Sequence, residues 1–344
     1  MDNAKIIEKE FSKATQSKLV HEAILLAENT KSDFSLTLGF GRKNTASPFF
    51  MASISKLLTT ACILILQEQK KLSLNNLLGD YFEHSFLDGL HIFKGNEYSH
   101  KLTISDLLFQ TSGLPDWYEE GGARKLVVKQ DFYISLEDKM EKMRKLGPRF
   151  APASTSKAYY SDINFDLLGE IIEKVTQTPL NEVYQNMIFK PLGMENTYLP
   201  ISEESVFPDV YYKGRLLYRP KMILSGPASG ACISTAQELM RFLKAFFGGG
   251  LFPKSIFETT LSKYKKLQWT MGPICYGGGY MQIPLGGIGT LFMGEGELLG
   301  HSGSTACAAF YYPRKDLYFV YDFNQMASPG LPIRFAMKLA MKIK

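Results

Sequence analysis

Cysteine is scarce in this chain and scattered where it occurs. The four residues, Cys62, Cys232, Cys275 and Cys307, form no C-x-x-C pair and have no histidine pair beside them. Neither a disulfide framework nor a zinc site is indicated, and the usage suits a reducing compartment. No secretory leader is expected either, since M-D-N-A-K-I-I-E-K-E lacks the basic, apolar and small-residue order of a signal peptide. No apolar run reaches the roughly 20 residues that span a bilayer. Even the most apolar stretch, 57–66, is interrupted by Thr59 and Thr60. The expectation is a soluble, cytoplasmic protein without a membrane span.

Charge of one sign is not concentrated either. The net charge is +5, and the densest basic patch, Lys263, Lys265 and Lys266, is broken by Tyr264 and has no nucleic-acid motif around it. It reads as a solvated face, so no nucleic-acid partner is expected. The glycine clusters G-G-G-Y, G-G-I-G and G-E-G-E-L-L-G match neither G-x-G-x-x-G nor a P-loop and read as hairpin turns. Repeats and low-complexity segments are absent.

What is present is a globular chain. With 344 residues, 45% apolar and 21% charged, it is long enough for one large domain or two subdomains. Residues 1–29 carry helical spacing, with Leu19, Ile24 and Leu25 apolar among polar neighbours; S-D-F-S-L-T-L-G-F-G then alternates like a half-buried strand. A long apolar helix follows from Ser53. Residues 72–220 read mainly as helices and loops, with Thr103 and Asp106 at capping-box spacing. A clear helix there is N-F-D-L-L-G-E-I-I-E-K-V, striped by Phe165, Leu168, Ile172 and Val175. From 221 onwards a helix with Thr235 and Glu238 as capping box and Gly248 as its stop precedes strands: Y-G-G-G-Y-M-Q-I, G-T-L-F-M, S-T-A-C-A-A-F-Y-Y-P and L-Y-F-V-Y-D-F. The last two are joined by P-R-K-D as a hairpin. The final A-M-K-L-A-M-K is helical. Strands and helices at both ends, with helices between, predict an α+β fold. An antiparallel sheet is expected from approximately 1–70 and 221–344, with a helical subdomain inserted at approximately 71–220.

Three short motifs carry chemistry. S-x-x-K occurs three times, at Ser53/Lys56, Ser154/Lys157 and Ser262/Lys265, where on the order of one match is expected by chance. Only Ser53 opens a long apolar helix, F-F-M-A-S-I-S-K-L-L-T-T-A-C-I-L-I-L. Residues three apart share a helix face, so Lys56 would lie beside the Ser53 hydroxyl, and the Ser53 N–H would be free for a developing oxyanion. The second motif is A-Y-Y-S-D, in which Tyr160 and Asp162 can point a phenol and a carboxylate into one cleft. A phenol near ammonium groups has a lowered pKa and can act as a general base. The third is L-G-H-S-G-S-T: His301 and Gly303 open a strand, the glycine admits a substrate backbone, and the Ser304 N–H can be a second oxyanion donor. Read singly, these are a helix cap, a packing tyrosine and a turn.

Together, S-x-x-K, Y-x-D and H-x-G, in this order and separated by about 107 and 141 residues, resemble the penicillin-recognising serine hydrolases. That group comprises class C β-lactamases, D-alanyl-D-alanine carboxypeptidases and related esterases. The segments T-I-S-D-L-L-F-Q-T-S-G-L-P-D, P-L-G-M-E-N-T and S-G-A-C-I-S-T-A-Q-E-L are also similar to it, so the likeness runs over roughly 30–325. It implies a β-lactamase-like (transpeptidase-like) single catalytic domain over 1–344. It also implies a Ser53 nucleophile forming an acyl-enzyme, with Lys56 and Tyr160 sharing the proton work. Oxyanion N–H groups would come from Ser53 and Ser304, with Asp162, His301 and Gly303 in the cleft wall. The substrate would be a small-molecule or peptide acyl compound, β-lactams among the candidates, and no metal or cofactor is required. Two departures lower the expectation of β-lactam hydrolysis: Asp162 stands where the β-lactamases of the group usually carry asparagine, and His301 where they carry lysine. The alternative is a catalytically weak sensor of the same fold that binds a β-lactam or peptide.

Overall fold

The computed structural model describes residues 3–152, 157–286 and 294–343. Segments from the two ends of the chain meet in one eight-stranded antiparallel sheet. Its spatial order is Ser35–Phe40, Ala23–Glu28, Leu317–Asp322, Cys307–Tyr312, Glu297–Ser302, Met281–Pro284, Cys275–Tyr276 and Lys265–Lys266. The join between the ends is Ala23–Glu28 against Leu317–Asp322, with Leu25 opposite Tyr321.

Leu317–Asp322 is buried along its whole length, as a central strand covered on both faces must be. Tyr321 faces the C-terminal helix Leu331–Ala340, its ring 5.0 Å from that of Phe335 and its hydroxyl donating to the Pro332 carbonyl at 2.6 Å. Tyr318 is an odd number of residues away and therefore on the opposite face. It stacks on Tyr311 at 4.2 Å, which in turn meets Phe247 of the helix Ala236–Gly248. Helices thus cover both faces of the sheet.

The opening of the chain corrects one expectation. The helix ends at Thr15, and Ile24 and Leu25 belong to the strand Ala23–Glu28. A-I-L-L-A is buried on both faces, and such a strand shows a continuous apolar run that periodicity cannot separate from a helix. Smaller signals fare better. Thr103 accepts from the Asp106 N–H, and Asp106 from the Thr103 N–H, as a capping box requires. Thr235 caps its helix through the Glu238 N–H. The left-handed stop there is Gly249, one residue beyond Gly248. The expected strand G-T-L-F-M lies outside the described residues, as does Ser154.

Among the described residues, no strand of the large sheet comes from 41–264. Helices Leu136–Leu146 and Asp162–Thr176 dominate the insertion. Between it and the sheet runs Ser55–Glu68, buried on almost every side, which is why its sequence is apolar all round. Its two threonines are satisfied inside: Thr59 donates to the Ala228 carbonyl at 2.6 Å and Thr60 to the Lys56 carbonyl at 2.8 Å. The short helix Pro227–Gly230 presses on Asp162–Thr176 at Gly169, where a Cβ would fall 2.5 Å from that of Ala228. That close approach carries the Ser229 carbonyl toward Lys56. No helix among the described residues is long and apolar enough to cross a membrane.

Candidate active site

Ser53 sits in a 3₁₀ turn, Ala52–Ile54, that leads into the helix Ser55–Glu68. The residue before it, Ala52, has φ +47°, a left-handed backbone that costs a residue with a Cβ about 1–2 kcal/mol. Neighbouring segments hold it there. The Met51 N–H donates to the Cys232 carbonyl at 2.9 Å, and the Cys232 N–H donates to Ser55 Oγ at 3.1 Å. On the other side stands Gly303: a Cβ there would lie 2.7 Å from the Met51 oxygen and 2.9 Å from the Ala52 Cβ. The room this glycine makes is taken by the Ser53 turn itself, where the sequence pointed to a substrate backbone. Among the described residues, the Ser53 and Ser304 N–H groups have no acceptor.

Lys56, one helical turn on, is completely buried, and its ammonium has three acceptors for its three N–H bonds. They are Ser53 Oγ at 3.2 Å, Asp162 Oδ1 at 2.7 Å and the Ser229 carbonyl at 2.6 Å. The ammonium also lies 5.1 Å from the centre of the Tyr160 ring and 5.5 Å from that of Phe165. Burying an ammonium is costly unless it is paired and hydrogen-bonded, and this group is both. The S-x-x-K match at Ser262/Lys265 lacks such a setting: Ser262 is exposed, and Lys265 lies on the edge strand Lys265–Lys266.

Tyr160 precedes the helix Asp162–Thr176 and is held in place by two glutamines. Gln110 grips both its neighbours, accepting at its carbonyl from the Tyr159 N–H at 2.8 Å and at Oε1 from the Ser161 N–H at 3.0 Å. Gln268 Oε1 accepts from the Tyr160 N–H at 3.0 Å. Burial pushes the Tyr160 phenol well above its ordinary range, and the Asp162 charge adds to this; a hydrogen bond with Ser53 works the other way. The expected lowering is therefore corrected. Desolvation and the carboxylate outweigh the Ser53 hydrogen bond, and the resting group is a phenol.

His301, on the strand Glu297–Ser302, does not reach the cleft wall. It is fully buried behind Tyr160, ring centres 5.9 Å apart, with Nδ1 2.8 Å from the Ser302 carbonyl and Nε2 3.3 Å from the Tyr276 hydroxyl. Burial, and then the charge of Lys56, push it down to about 3, so it is a neutral imidazole. A buried neutral ring has no charge to offer a substrate carboxylate. The expectation that it lines the cleft is corrected.

One acid escaped the sequence reading. Asp116, in the loop L-P-D-W, accepts from the Asp162 N–H at 2.9 Å through Oδ1 and from the Glu119 N–H at 3.0 Å through Oδ2. It thereby anchors the first residue of the helix that carries Asp162. Burial raises it well above the carboxylate range, and the Asp162 charge adds to that. Gln110 was missed as well, although both lie in segments similar to the family. The local signal at each is only that of a turn.

A cavity of about 720 Å³ brings Ser53, Tyr160, Asp162, Gly303 and Ser304 together, with Asp116 at its side. Lys56 lies beneath. The lining is mainly apolar, including Phe50, Trp117, Met222, Met271, Met281 and Met337. Helix Leu331–Ala340 closes it with Ile333 and Met337 and sets Arg334 at the rim. This arrangement offers a hydroxyl beside an ammonium–carboxylate pair, a phenol, and two unspent N–H donors around an apolar space.

Known proteins resemble this chain in sequence or in fold. PbpX of Bacillus subtilis is 25% identical over 236 residues, covering 67% of this chain and 54% of that protein. The D-alanyl-D-alanine-carboxypeptidase/endopeptidase AmpH of Escherichia coli is 25% identical over 206 residues, 60% of this chain and 50% of the other. The chain thus spans about half the length of these curated relatives. A D-stereospecific amidohydrolase from Streptomyces sp. has the same fold, with TM-score 0.76 at 22% identity over 94% of this chain and 95% of its own. The Beta-lactamase family model matches residues 34–339, and the chain belongs to that family.

Proposed function

We propose that the chain is a serine hydrolase that works through an acyl-enzyme on an ester, amide or D-amino-acid peptide, with weak or no β-lactamase activity. The observation that carries this reading is the Ser53 hydroxyl, 3.2 Å from the buried Lys56 ammonium and open to the cavity.

In the first half-reaction, Ser53 Oγ forms a bond to the substrate carbonyl carbon and gives up its proton. An ammonium that donates to three acceptors cannot take that proton, so Lys56 acts in its amine form, after one proton has left the cluster around it. The oxyanion draws on the N–H groups of Ser53 and Ser304, donors fixed in advance by the clamped turn. Tyr160, a phenol at rest, is placed to protonate the departing oxygen or nitrogen as its bond to the carbonyl carbon breaks. Water then attacks the acyl-enzyme, giving one proton to the Tyr160 phenolate; the bond from Ser53 Oγ to the carbonyl carbon breaks, Ser53 Oγ takes back the proton held by Lys56, and the acid product leaves. His301 acts as a positioning residue through its packing on Tyr160. The apolar lining favours a bulky apolar acyl group, and methionines adapt their shape to one.

The test is intact-protein mass spectrometry, with wild type and Ser53→Ala incubated with a penicillin and, separately, a p-nitrophenyl ester. One acyl adduct on the wild type and none on the variant is expected, with esterase turnover reduced by at least about 10³-fold. A variant turning over within about tenfold of wild type overturns the nucleophile assignment.

A further inference from the structure

Away from the cavity, the helical insertion carries a second cluster of chemistry-bearing side chains: His84, Asp88 and His100. None of them lines the cavity. One ligand atom from each lies within 4.8 Å of the other two. We propose that these three residues form a surface site for a divalent transition-metal ion of the zinc class.

Two short segments bring them together. In H-S-F-L-D, His84 opens the helical turn His84–Leu87 and Asp88 ends it, so the i, i+4 spacing puts both on one face. Leu87 and Leu90 are fully buried, and Arg144 donates to the Asp88 carbonyl at 2.9 Å and the Phe86 carbonyl at 2.5 Å, which fixes the backbone. His100 comes from the 3₁₀ turn Ser99–Lys101, whose Ser99 Oγ accepts from the His91 N–H at 2.7 Å. The two imidazoles stack, with centres 4.4 Å apart and planes 26° off parallel.

Hydrogen bonding accounts for only part of this arrangement. His100 Nε2 lies 2.7 Å from Asp88 Oδ1, while its Nδ1 is buried with no partner among the described residues. Zinc binds imidazole and carboxylate at about 2.0–2.2 Å, which in a tetrahedral site separates ligand atoms by about 3.3 Å. The Nε2–Oδ1 pair must therefore open slightly and the widest pair close. Side-chain torsions of exposed His84 and Asp88 allow this without moving the backbone. Water would take the fourth position. Two imidazoles with one carboxylate favour zinc, cobalt, nickel or copper over magnesium and calcium.

The test is calorimetric titration of the untagged full chain with ZnCl₂, beside His84→Ala, His100→Ala and the near-isosteric Asp88→Asn. Melting in EDTA first establishes that each variant is folded. One zinc equivalent is expected on the wild type, with little heat from MgCl₂. Loss of a direct ligand should weaken binding at least about tenfold, the low end of what loss of an outer hydrogen-bond partner costs. Co²⁺ added in place of zinc should give visible absorption bands that the double variant H84A/H100A lacks. Zinc binding no tighter in the wild type than in that double variant, or cobalt bands common to both, overturns the proposal. Esterase activity of Ser53 is read separately in EDTA, so either reading can fail without the other.

Discussion

Replacing Asp162 by asparagine keeps the shape of the site and removes one charge beside Lys56 and Ser53. At an effective dielectric near 20, unit charges 2.7 Å apart attract by about 6 kcal/mol. The variant does not lose all of it, because Asp116 stands in reserve. Asp116 is raised by burial and by the charge of Asp162, so when that charge goes Asp116 ionises more readily and restores part of the field. About 1–3 kcal/mol is then left uncompensated, or about one to two pH units. The sign follows from the charge. A carboxylate at 162 favours the protonated state of the cluster that must accept the Ser53 proton, and it also raises Tyr160. Its removal moves the acid limb of kcat/KM to lower pH, whichever group takes the proton. The assay is hydrolysis of a p-nitrophenyl ester from about pH 4 to pH 10 at constant ionic strength, for wild type, D162N and D116N/D162N. The limb should shift by one to two units in the single variant and further in the double. An unmoved limb in D162N, or a double variant no different from the single, would refute the electrostatic account.

Two other outcomes are expected. In Gly303→Ala the new Cβ would meet Cys307 Sγ at 2.5 Å and the Met51 carbonyl at 2.7 Å, so the Ser53 turn must give way. Overpacking of this kind costs about 1–3 kcal/mol of stability, and an ångström of displacement costs about a hundredfold in kcat/KM; melting and steady-state kinetics read the two, and wild-type activity contradicts the clamp. His301 gives a pH signature: its folded-state value of about 3 lies below its ordinary 6.5, so the unfolded chain takes up the proton first. Its contribution is complete above about pH 6.5 and is lost as pH falls toward 3, by up to about 5 kcal/mol. Urea unfolding across that range should show a flatter pH slope in His301→Gln than in wild type, and parallel slopes would place the ring in water.

The residues legible in the sequence are those whose geometry is local or whose spacing matched a known pattern. Ser53 and Lys56 meet because three residues make about one helical turn, and that holds wherever the helix is buried. Tyr160 and Ser304 reach the same cavity from distant segments, which only the ordered likeness to a family foresaw. What was misread depends on depth and on long-range partners. Tyr160 was assigned the sign of its neighbouring ammonium, but burial and Asp162 set the direction. His301 looked like a cleft residue because its place beside Gly303 is visible in sequence, whereas its enclosure by Tyr276 and Tyr160 comes from strand pairing and packing. Asp116 carried only a turn signal, since its partner is a backbone N–H 46 positions away. The i, i+4 spacing of His84 and Asp88 was readable too, but the arrival of His100 from another segment was not. Charges can be counted along a sequence, but the desolvation that decides their titration exists only once distant segments have closed over them. A candidate site read from sequence therefore fixes nucleophile and neighbour first, and protonation last.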